Sequence, residues 1–427
     1  MEHSIEYQVP LRRPRAWIRE VPIVSLGEGP KLAFKLLLFF LLFLYSNIAV
    51  IYKVLDPYRP AAVIAIAAIA MMVIEIGHSR RRFQLMWPQG LLMLAFLALA
   101  FVSSFDAIWA RLAFERTSDI LKIVLIYILI ENTVTSESRV RTMFLAMVCC
   151  GLIPAVGIIY YFSRGILIEG SRGAWRGVVG KPNEAAYGLL ILLPLALTVA
   201  IKSRWPMRVF LTAVCAISLL AIFLTYSRGG LMGLFAVIGL IGWKQKSMVF
   251  RLVMVLGLIA ALFVGALYWN RGQNFKDISK DTTFNQRIAT IKAGIRMFEA
   301  HPLLGVGPGC SIVAYPLYVP PEAHCGCQLQ LVIHNSFIQV LSEMGILGFL
   351  ASTLLLAASL WDAWRMQKGP MAPYAAALEI ALWGCIVCGL SGGFTYTWWP
   401  YILIGLIVAT KHIANSYPPE GANAATV

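Results

Sequence analysis

The chain alternates between long apolar runs and short polar connections over almost its whole length. A transmembrane helix needs about 20 predominantly apolar residues to cross a hydrocarbon core of roughly 30 Å. Twelve runs approach that length, at about residues 33–52, 60–77, 87–104, 119–134, 142–162, 186–201, 209–225, 230–243, 252–269, 336–361, 374–392 and 398–411. The pattern predicts an all-α integral membrane protein with about 12 transmembrane helices.

Composition supports the same class of protein. Of the 427 residues, 59% are hydrophobic and only 13% are charged, whereas soluble domains carry roughly 25% charged residues. The mean hydropathy is +0.74. The length of the chain therefore indicates one membrane domain rather than several soluble ones.

The charged residues predict the orientation of the chain. The net charge of +15 would suggest nucleic-acid binding in a soluble protein. Here the basic residues occupy alternate connections, as the positive-inside rule predicts for cytoplasmic loops. The clusters are Arg80–Arg82, Arg139 with Arg141, Lys202 with Arg204 and Arg208, Lys244 with Lys246 and Arg251, and Arg365 with Lys368. We therefore expect both termini in the cytoplasm, and membrane lipids but no nucleic acid as partners.

This topology divides the chain into five segments. The first apolar run is too long for a signal peptide, so we expect it to be an uncleaved span. The segments are a basic cytoplasmic N-terminus at 1–32, transmembrane helices 1–9 at 33–269, a large outward loop at 270–335, transmembrane helices 10–12 at 336–411, and a cytoplasmic tail at 412–427.

The large loop between spans 9 and 10 contains a predicted amphipathic helix. Apolar residues recur at helical spacing at Phe284, Ile288, Ile291, Ile295 and Phe298, with Arg287, Lys292 and Arg296 on other faces. This pattern is typical of a helix lying along a membrane surface. The proline and glycines of 301–309 then predict a compact turn. Because no strand precedes this turn and Pro308 interrupts it, a nucleotide-binding loop is excluded.

A second outward stretch is rich in glycine and basic residues. Arg172, Arg176 and Lys181 supply three cations near Asn183, and the glycines allow the backbone to approach a ligand closely. The stretch is suited to an anionic headgroup. A solvated basic loop is the alternative interpretation.

The third stretch is the tight turn Thr225–Gly230 between two spans. An arginine at the bilayer centre costs roughly 2.5–3.5 kcal/mol on insertion scales. Arg228, beside Tyr226, therefore needs an anionic partner or a water-filled cavity, and a bound diphosphate would be such a partner. Snorkelling of Arg228 to the membrane interface is the alternative.

A titratable residue stands at the start of span 10. His334 and Asn335 are followed by nine residues and then by Gly345 and Gly348. A histidine titrates near physiological pH, so it suits proton transfer. By itself, an interfacial histidine that caps its helix is the simpler interpretation.

Together these motifs resemble the bacterial O-antigen ligase and polymerase superfamily over about residues 170–350. The resemblance rests on Gly-x-Pro-Asn ending at Asn183, on Tyr-Ser-Arg-Gly at 226–229, on the arginine-bearing helix with its Pro-Leu-x-Gly-x-Gly turn, and on the His334 motif. It implies a metal-independent membrane glycosyltransferase without a cofactor. Its donor would be an undecaprenyl-diphosphate-linked glycan. The active site would face the periplasm from the inner membrane.

The resemblance also suggests roles for the residues. His334 would be the general base on the acceptor hydroxyl, and Arg228 and Arg287 would hold the diphosphate. Other predicted substrate-binding residues are Arg172, Arg176, Lys181, Asn183, Tyr226 and Asn335. Displacement at the anomeric carbon would invert its configuration.

Several functions remain open at this point. The overall length and the single long loop favour an O-antigen ligase with a lipid A-core acceptor. A polymerase that uses a second glycan as acceptor, or a transferase acting on protein hydroxyls, shares the donor motifs. A secondary transporter for a small anion would also explain membrane arginines, although the sequence shows no inverted repeat.

The eight cysteines do not form a paired metal-binding pattern. Cys310, Cys325 and Cys327 lie in the longest polar loop. If that loop is extracytoplasmic, it is compatible with one disulfide among them, whose formation and connectivity the sequence leaves open, and a zinc site that includes the adjacent His324 is the weaker alternative.

Overall fold

The computed structural model describes residues 29–46, 48, 52–79, 81–175, 180–244, 247–249, 251–252, 282–321, 330–393 and 395–417. Over these residues the fold is α-helical, with one isolated bridge between Ile168 and Arg172. The helices are α1 (Lys31–Ser46), α2 (Pro60–His78), α3 (Gln89–Phe105), α4 (Ala110–Thr133), α5 (Glu137–Ser163), α6 (Pro182–Leu190), α7 (Leu192–Ile201), α8 (Trp205–Leu224), α9 (Arg228–Lys244), α10 (Thr282–Ala300), α11 (Ser311–Tyr318), α12 (Ser336–Arg365), α13 (Ala372–Gly389) and α14 (Trp399–Asn415).

The helices lie where the apolar runs predict them. Each run within the described residues coincides with a helix or with the consecutive pair α6 and α7. The largest difference is in α4, which begins at Ala110 rather than near residue 119. Its first turns carry charged residues and therefore do not belong to an apolar run. The ninth run, 252–269, lies outside the described residues apart from residue 252.

Within the described residues, six helices are long and apolar enough to cross a membrane. They are Pro60–His78, Glu137–Ser163, Pro182–Ile201, Trp205–Leu224, Ser336–Lys368 and Ala372–Gly389. The chain is therefore a multi-pass membrane protein. The total of 12 spans remains a prediction.

Helices α13 and α14 form the centre of the bundle. Helix α13 packs against α7, α9, α12 and α14, and residues 402–409 of α14 are all buried. In contrast, α2 buries only Ala68 and Met72 and leaves Val63 and Ile66 on the surface. Such apolar surface on a membrane helix suits contact with lipid, so α2 lies at the periphery.

Ion pairs join distant helices at one end of the bundle. Lys411 Nζ of α14 lies 2.6 Å from Asp362 Oδ2 of α12. Lys244 Nζ of α9 lies 2.8 Å from Glu379 Oε2 of α13. This is the end at which the sequence places the basic connections, and we refer to it as the basic end.

At the opposite end, the turn at 302–309 lies against a break in α12. Val306 N donates to Ser342 O at 2.9 Å, and Gly307 N donates to Glu343 O at 3.0 Å. The break is at Gly345, whose φ of +60° and ψ of −164° are accessible essentially to glycine alone. A Cβ atom there would overlap the backbone of the turn. We call this contact between 302–309 and 342–346 the glycine junction.

Helix α10 is present where predicted, but a different face packs against the protein. Ile288 and Ile295 from the predicted apolar stripe are exposed. Small residues form the packed face instead, and a Cβ on Gly294 would lie only 2.7 Å from Ile338 Cγ2 of α12. Ala289 and Thr290 of this face are buried, and Ala293 and Met297 belong to a second hydrophobic core that also includes Val306, Cys310 and Ile333. Whether the exposed isoleucines lie on a membrane surface stays a prediction.

Cys310 does not take part in a disulfide. Its thiol is unpaired and fully buried, and Sγ lies 3.5 Å from Trp109 O, to which it donates. Burial raises the pKa of the thiol to about 11, so it remains protonated at neutral pH. Cys325 and Cys327 lie outside the described residues.

Replacing Gly345 by alanine should destabilise the protein. The strained backbone and the overlap with the turn should cost about 1–3 kcal/mol of unfolding free energy, measured as a lower thermal midpoint in detergent. Gly239→Ala in α9 is the matched control, because no atom lies within 4 Å of its Cβ position. Equal midpoints for the two variants would contradict this account of the junction.

Candidate active site

Helices α6, α9 and α12 all begin at the end of the bundle opposite the ion pairs. The loop 390–393 connects their starts. Ser336 Oγ donates to Gly392 O at 2.8 Å, and Ser391 Oγ lies 3.3 Å from Tyr187 Oη. Helix N-termini present unpaired N–H groups and the positive ends of helix dipoles. This end of the bundle is therefore electrostatically suited to an anion.

A buried arginine joins the segments around α6 and α9. Arg172 is 3% exposed, and its Nε donates to Thr225 O at 3.0 Å. One terminal nitrogen donates to Glu169 Oε2 at 3.0 Å and the other to Asn183 Oδ1 at 2.5 Å. Asn183 Oδ1 also accepts from Ser227 Oγ at 2.8 Å. We refer to these five residues as the Arg172 network.

The network places two predicted substrate-binding residues in contact with each other. The guanidinium of Arg172 is directed at protein acceptors on all three of its nitrogens. The amide oxygen of Asn183 accepts from both Arg172 and Ser227. These contacts fix the position of the turn that precedes α9. A direct contact of either residue with substrate stays a prediction.

Arg228 is the first residue of α9 and has an exposed side chain. The preceding turn includes Tyr226 at a φ of +46°. The Tyr226 ring lies near the rings of Phe162 and Phe223, with centroid distances of 6.3 and 6.0 Å. The turn therefore holds Arg228 at the same end of the bundle as the starts of α6 and α12.

Asn335 fixes the backbone beside His334. Its Oδ1 accepts from the N–H groups of Phe337 and Ile338, at 3.0 Å each. Its Nδ2 donates to Leu390 O at 3.2 Å. Asn335 is therefore the N-cap of α12, and this explains why a His-Asn pair stands at a helix start. His334, one position earlier, has an exposed side chain.

The charge of His334 is controlled by its neighbours. The pKa of His334 is lowered from 6.5 to about 4. Desolvation by the protein is the largest cause, and the positive charges of Arg287 and Lys181 act in the same direction. The negative charge of Glu169 acts in the opposite direction. Because the side chain keeps exposed surface, the desolvation is incomplete, and we consider the two cations the more specific cause. The imidazole is neutral at neutral pH and can accept a proton.

The fold brings predicted cations to His334 from two separate segments. Arg287 lies on α10, which packs against α12. The Nε of Arg287 is buried and has no hydrogen-bond acceptor within the described ranges. Lys181 precedes α6, and its Nζ lies 3.7 Å from Glu184 Oε1. Arg176 lies outside the described residues.

A buried carboxylate, Glu343, was missed by the sequence interpretation. It is 0% exposed, and its Oε1 accepts from Ser311 Oγ at 2.5 Å. Its Oε2 accepts from Gly309 N at 2.9 Å and from the Tyr396 hydroxyl. Glu343 thus ties the glycine junction to the loop before α14. The sequence gives one indication of its importance, because Glu343 is an acidic residue within an apolar run, two positions before Gly345.

Below the His334 loop, the bundle contains an apolar cavity of about 60 Å³. The lining includes Ser336, Phe337, Val340, Leu355, Cys385 and Ile404. The cavity places a hydrocarbon environment next to the polar site. Among the described residues, no group of three or more His, Cys, Asp or Glu side chains could hold a metal ion.

Comparisons with known proteins address the same region. Residues 213–353 match a family model described as O-antigen ligase, and this segment contains Arg228, Arg287 and His334. A chain from the solved structure "Structural coordination of polymerization and crosslinking by a peptidoglycan synthase complex" is 18% identical, with a TM-score of 0.46, over 79% of this chain and 99% of that chain. No curated protein matches this chain.

Arg172→Lys should weaken the fold although it keeps the charge, because an ammonium group cannot donate in the three directions of the guanidinium. We expect a loss of about 2 kcal/mol of unfolding free energy, typical of hydrogen bonds to a charged group, measured by thermal melting. Adding Asn183→Ala should cost less than it does in the wild type, since its bond from Arg172 is already broken and only the bond from Ser227 remains to be lost. The exposed Arg111→Lys, paired with Glu115 at 3.3 Å, should change stability by under about 0.5 kcal/mol. Additive losses at Arg172 and Asn183 would contradict the network.

Proposed function

We propose that this chain, whose residues 213–353 match a family model described as O-antigen ligase, is an O-antigen ligase. It transfers a glycan from undecaprenyl diphosphate to a hydroxyl of lipid A-core on the periplasmic face of the inner membrane. The observation that carries the proposal is that residues from separate motifs come together in the fold, because α10, which carries Arg287, packs against α12, which begins beside His334. The lowered pKa of His334, caused by desolvation and then by Arg287 and Lys181, supports this proximity.

The charges around the site support a diphosphate-linked donor. Arg228 stands at the start of α9, and Arg287 has a buried Nε–H with no acceptor in the described part of the chain. A guanidinium stays charged and can contact two phosphate oxygens at once. Helix starts add N–H donors that favour the same anion. We assign Arg228 and Arg287 to the diphosphate and Lys181, Arg176 and Tyr226 to its surroundings.

The hydrocarbon part of the donor fits the surroundings of the site. Apolar side chains line the cavity below the His334 loop, and the multi-pass bundle holds the site at a membrane surface. A lipid-linked sugar needs both environments, because its diphosphate is charged and its chain is insoluble in water. This combination favours a lipid-linked donor over a soluble nucleotide sugar.

The proposed reaction is a direct displacement at the anomeric carbon. The acceptor oxygen attacks that carbon while the bond to the diphosphate oxygen breaks, and the electron pair of that bond remains on the leaving diphosphate. His334 takes the proton of the acceptor hydroxyl and later releases it to water. Arg228 and Arg287 stabilise the growing charge of the leaving group. A single displacement inverts the anomeric configuration.

Donor binding should also prepare His334 for its role. In the free protein, desolvation together with Arg287 and Lys181 keeps the pKa of His334 low, which makes the imidazole a weak base. A bound diphosphate would offset these positive charges and raise the pKa toward the working pH. The base would therefore become effective mainly when the donor is present.

The decisive test is transfer in vitro in EDTA, with a purified undecaprenyl-diphosphate glycan as donor. His334→Ala should reduce transfer by about 100- to 10,000-fold, and Arg228→Ala or Arg287→Ala by about 100- to 1,000-fold. Arg111→Ala, an exposed arginine on α4, is the control and should remain active. Full activity of His334→Ala at an unchanged thermal midpoint would refute the mechanism.

Varying the acceptor in the same assay distinguishes a ligase from a polymerase. Lipid A-core is expected to accept the glycan, and a second lipid-linked repeat is not. Transfer only to the lipid-linked repeat would identify a polymerase instead. The shared motifs do not distinguish between these acceptors, so the choice of acceptor depends on residues other than His334 and the two arginines.

The pH dependence should differ between the free and donor-bound enzyme. The value of kcat/KM should rise through a pKa of about 4 and then level off, because His334 accepts a proton only when it is neutral. The acidic limb of kcat should lie at higher pH, because the diphosphate raises the pKa of His334 in the complex. Lys181→Gln should move the kcat/KM limb upward. Coincident limbs for kcat and kcat/KM would contradict the activation of His334 by the donor.

A further inference from the structure

Helix α4 carries charged side chains at the depth of an apolar neighbour. Thr117 Oγ1 lies 2.9 Å from Ser104 Oγ and donates to Ala100 O at 3.2 Å, so this part of α4 packs beside α3. Lys122 lies about 7.5 Å further toward the basic end, at about 1.5 Å per residue. Helix α3 is apolar throughout residues 91–102. Charged side chains at membrane depth are rare, and as a rule they serve a functional site.

Two cations of α4 converge on one aspartate. Arg116 Nη1 lies 3.2 Å from Asp119 Oδ2, and Lys122 Nζ lies 2.8 Å from Asp119 Oδ1. Asp119 is one turn nearer the start of α4, so the ammonium group is directed toward the end of the bundle that holds His334. The Arg116 and Lys122 side chains are 45% and 55% exposed. We call these three residues the α4 charge cluster. Two cations against one anion leave it with a net positive charge.

An exposed aromatic surface adjoins the α4 charge cluster. Phe101 and Phe105 of α3 and Phe114 of α4 contact one another, with ring centroids 5.1, 5.9 and 5.2 Å apart, and all three side chains are exposed. Phe114, Ser118 and Lys122 follow one another at four-residue spacing, which places them on one face of α4. Exposed rings on membrane helices suit contact with hydrocarbon. Apolar and cationic groups thus lie side by side, as a lipid with a phosphorylated headgroup requires.

The α4 charge cluster also contacts the glycine junction. A Cβ atom on Gly309 would lie 2.3 Å from Arg116 Cγ, and the guanidinium carbon of Arg116 lies 6.0 Å from the centroid of the Tyr396 ring. Gly309 N donates to the Tyr396 hydroxyl at 3.0 Å. Arg116 therefore packs on the turn that precedes α11 and beside the loop that precedes α14.

The start of α4 is joined to the His334 loop by packing. Ala113 is fully buried and belongs to the same second hydrophobic core as Ile333, the residue before His334. On α3, Ser103 Oγ donates to Leu304 O of the glycine junction at 2.7 Å. A lipid on the outer surface of α3 and α4 would therefore lie beside the core that supports the proposed base.

We propose that the α4 charge cluster and the adjoining phenyl rings bind the phosphorylated lipid part of the acceptor. The proposal rests on the function proposed above and assigns the residues that select lipid A-core. Arg116 and Lys122 contact a phosphate group, and the acyl chains lie against the rings of Phe101, Phe105 and Phe114. The core sugars extend from this lipid toward His334.

The chemistry of the cluster favours a phosphate over other anions or an apolar partner. Asp119 holds the two cations close together, while a guanidinium has five N–H donors and an ammonium has three, so donors remain for a ligand. A phosphate group carries enough charge to be attracted by both cations, and charge-assisted hydrogen bonds of this kind are among the stronger ones. A wholly apolar partner would leave the cluster desolvated without compensation.

The test measures binding of lipid A-core to the full-length protein in detergent without donor, by microscale thermophoresis. Lipid A-core with its phosphates removed and phosphatidylglycerol are measured alongside. Wild type should bind the phosphorylated form about tenfold more tightly than the dephosphorylated form, as expected for a charge-assisted hydrogen bond. Lys122→Gln should abolish this preference. It is the preferred substitution because, within the described ranges, Asp119 is the one polar partner of Lys122.

Arg111→Gln is the matched control for a general charge effect. Arg111 lies on the same helix and pairs with Glu115 at 3.3 Å, but it stands outside the cluster, so the preference for phosphate should persist. In the transfer assay, Lys122→Gln should raise the acceptor KM about tenfold and change the donor KM by less than about twofold. Thermal midpoints show that each variant is folded.

The outcomes separate this site from the proposed function. Equal binding of the two lipid forms by wild type would overturn the site, as would an unchanged preference in Lys122→Gln or an equal loss in Arg111→Gln. Phosphatidylglycerol binding as tightly as lipid A-core would also overturn it, because the occupant would then be bulk lipid. His334→Ala should bind lipid A-core like the wild type. Phosphate-selective binding without transfer by the wild type would refute the proposed function and leave the lipid site intact.

Discussion

The arrangement of the site depends on one constraint, that a buried guanidinium must find hydrogen-bond acceptors. Arg172 is buried, and leaving its N–H groups unpaired would cost several kcal/mol. Its acceptors come from the hairpin, from α6 and from the turn before α9. Satisfying this one side chain therefore fixes the relative positions of three segments. Glu169, Lys181 and Arg228 all stand on or beside those segments.

On the other side of the site, the glycine junction fixes the relative positions of two segments. Backbone hydrogen bonds join the turn after α10 to the break in α12, and the approach is close enough that only glycine fits at Gly345. Glu343 then ties the junction to the loop before α14. Helix α10 carries Arg287 and α12 begins beside His334, so the junction and the packing of α10 against α12 fix the relative positions of the two helices that carry or adjoin these residues.

Positive charges at one end of the bundle repel one another, and an anionic ligand would offset this repulsion. Arg228 and three helix starts lie at one end of the bundle, and desolvation, with the charges of Arg287 and Lys181, lowers the pKa of His334. Under the proposed function, an anionic donor would relieve this repulsion, so that donor binding and activation of the base would be coupled.

The sequence by itself determined the helical membrane fold and the residue types of the site, because apolar length and side-chain chemistry are properties of local segments. From its motifs it predicted Arg228, Arg287 and His334 as site residues, and from its periodicity it predicted the helix Thr282–Ala300, which the structure confirms. Only the tertiary structure decided that small residues form the packed face of α10, that Arg172 is buried among protein acceptors, and that Cys310 is a buried thiol. It also revealed Glu169 and Glu343. These features depend on contacts between residues distant along the chain, and no local pattern encodes which segments will meet.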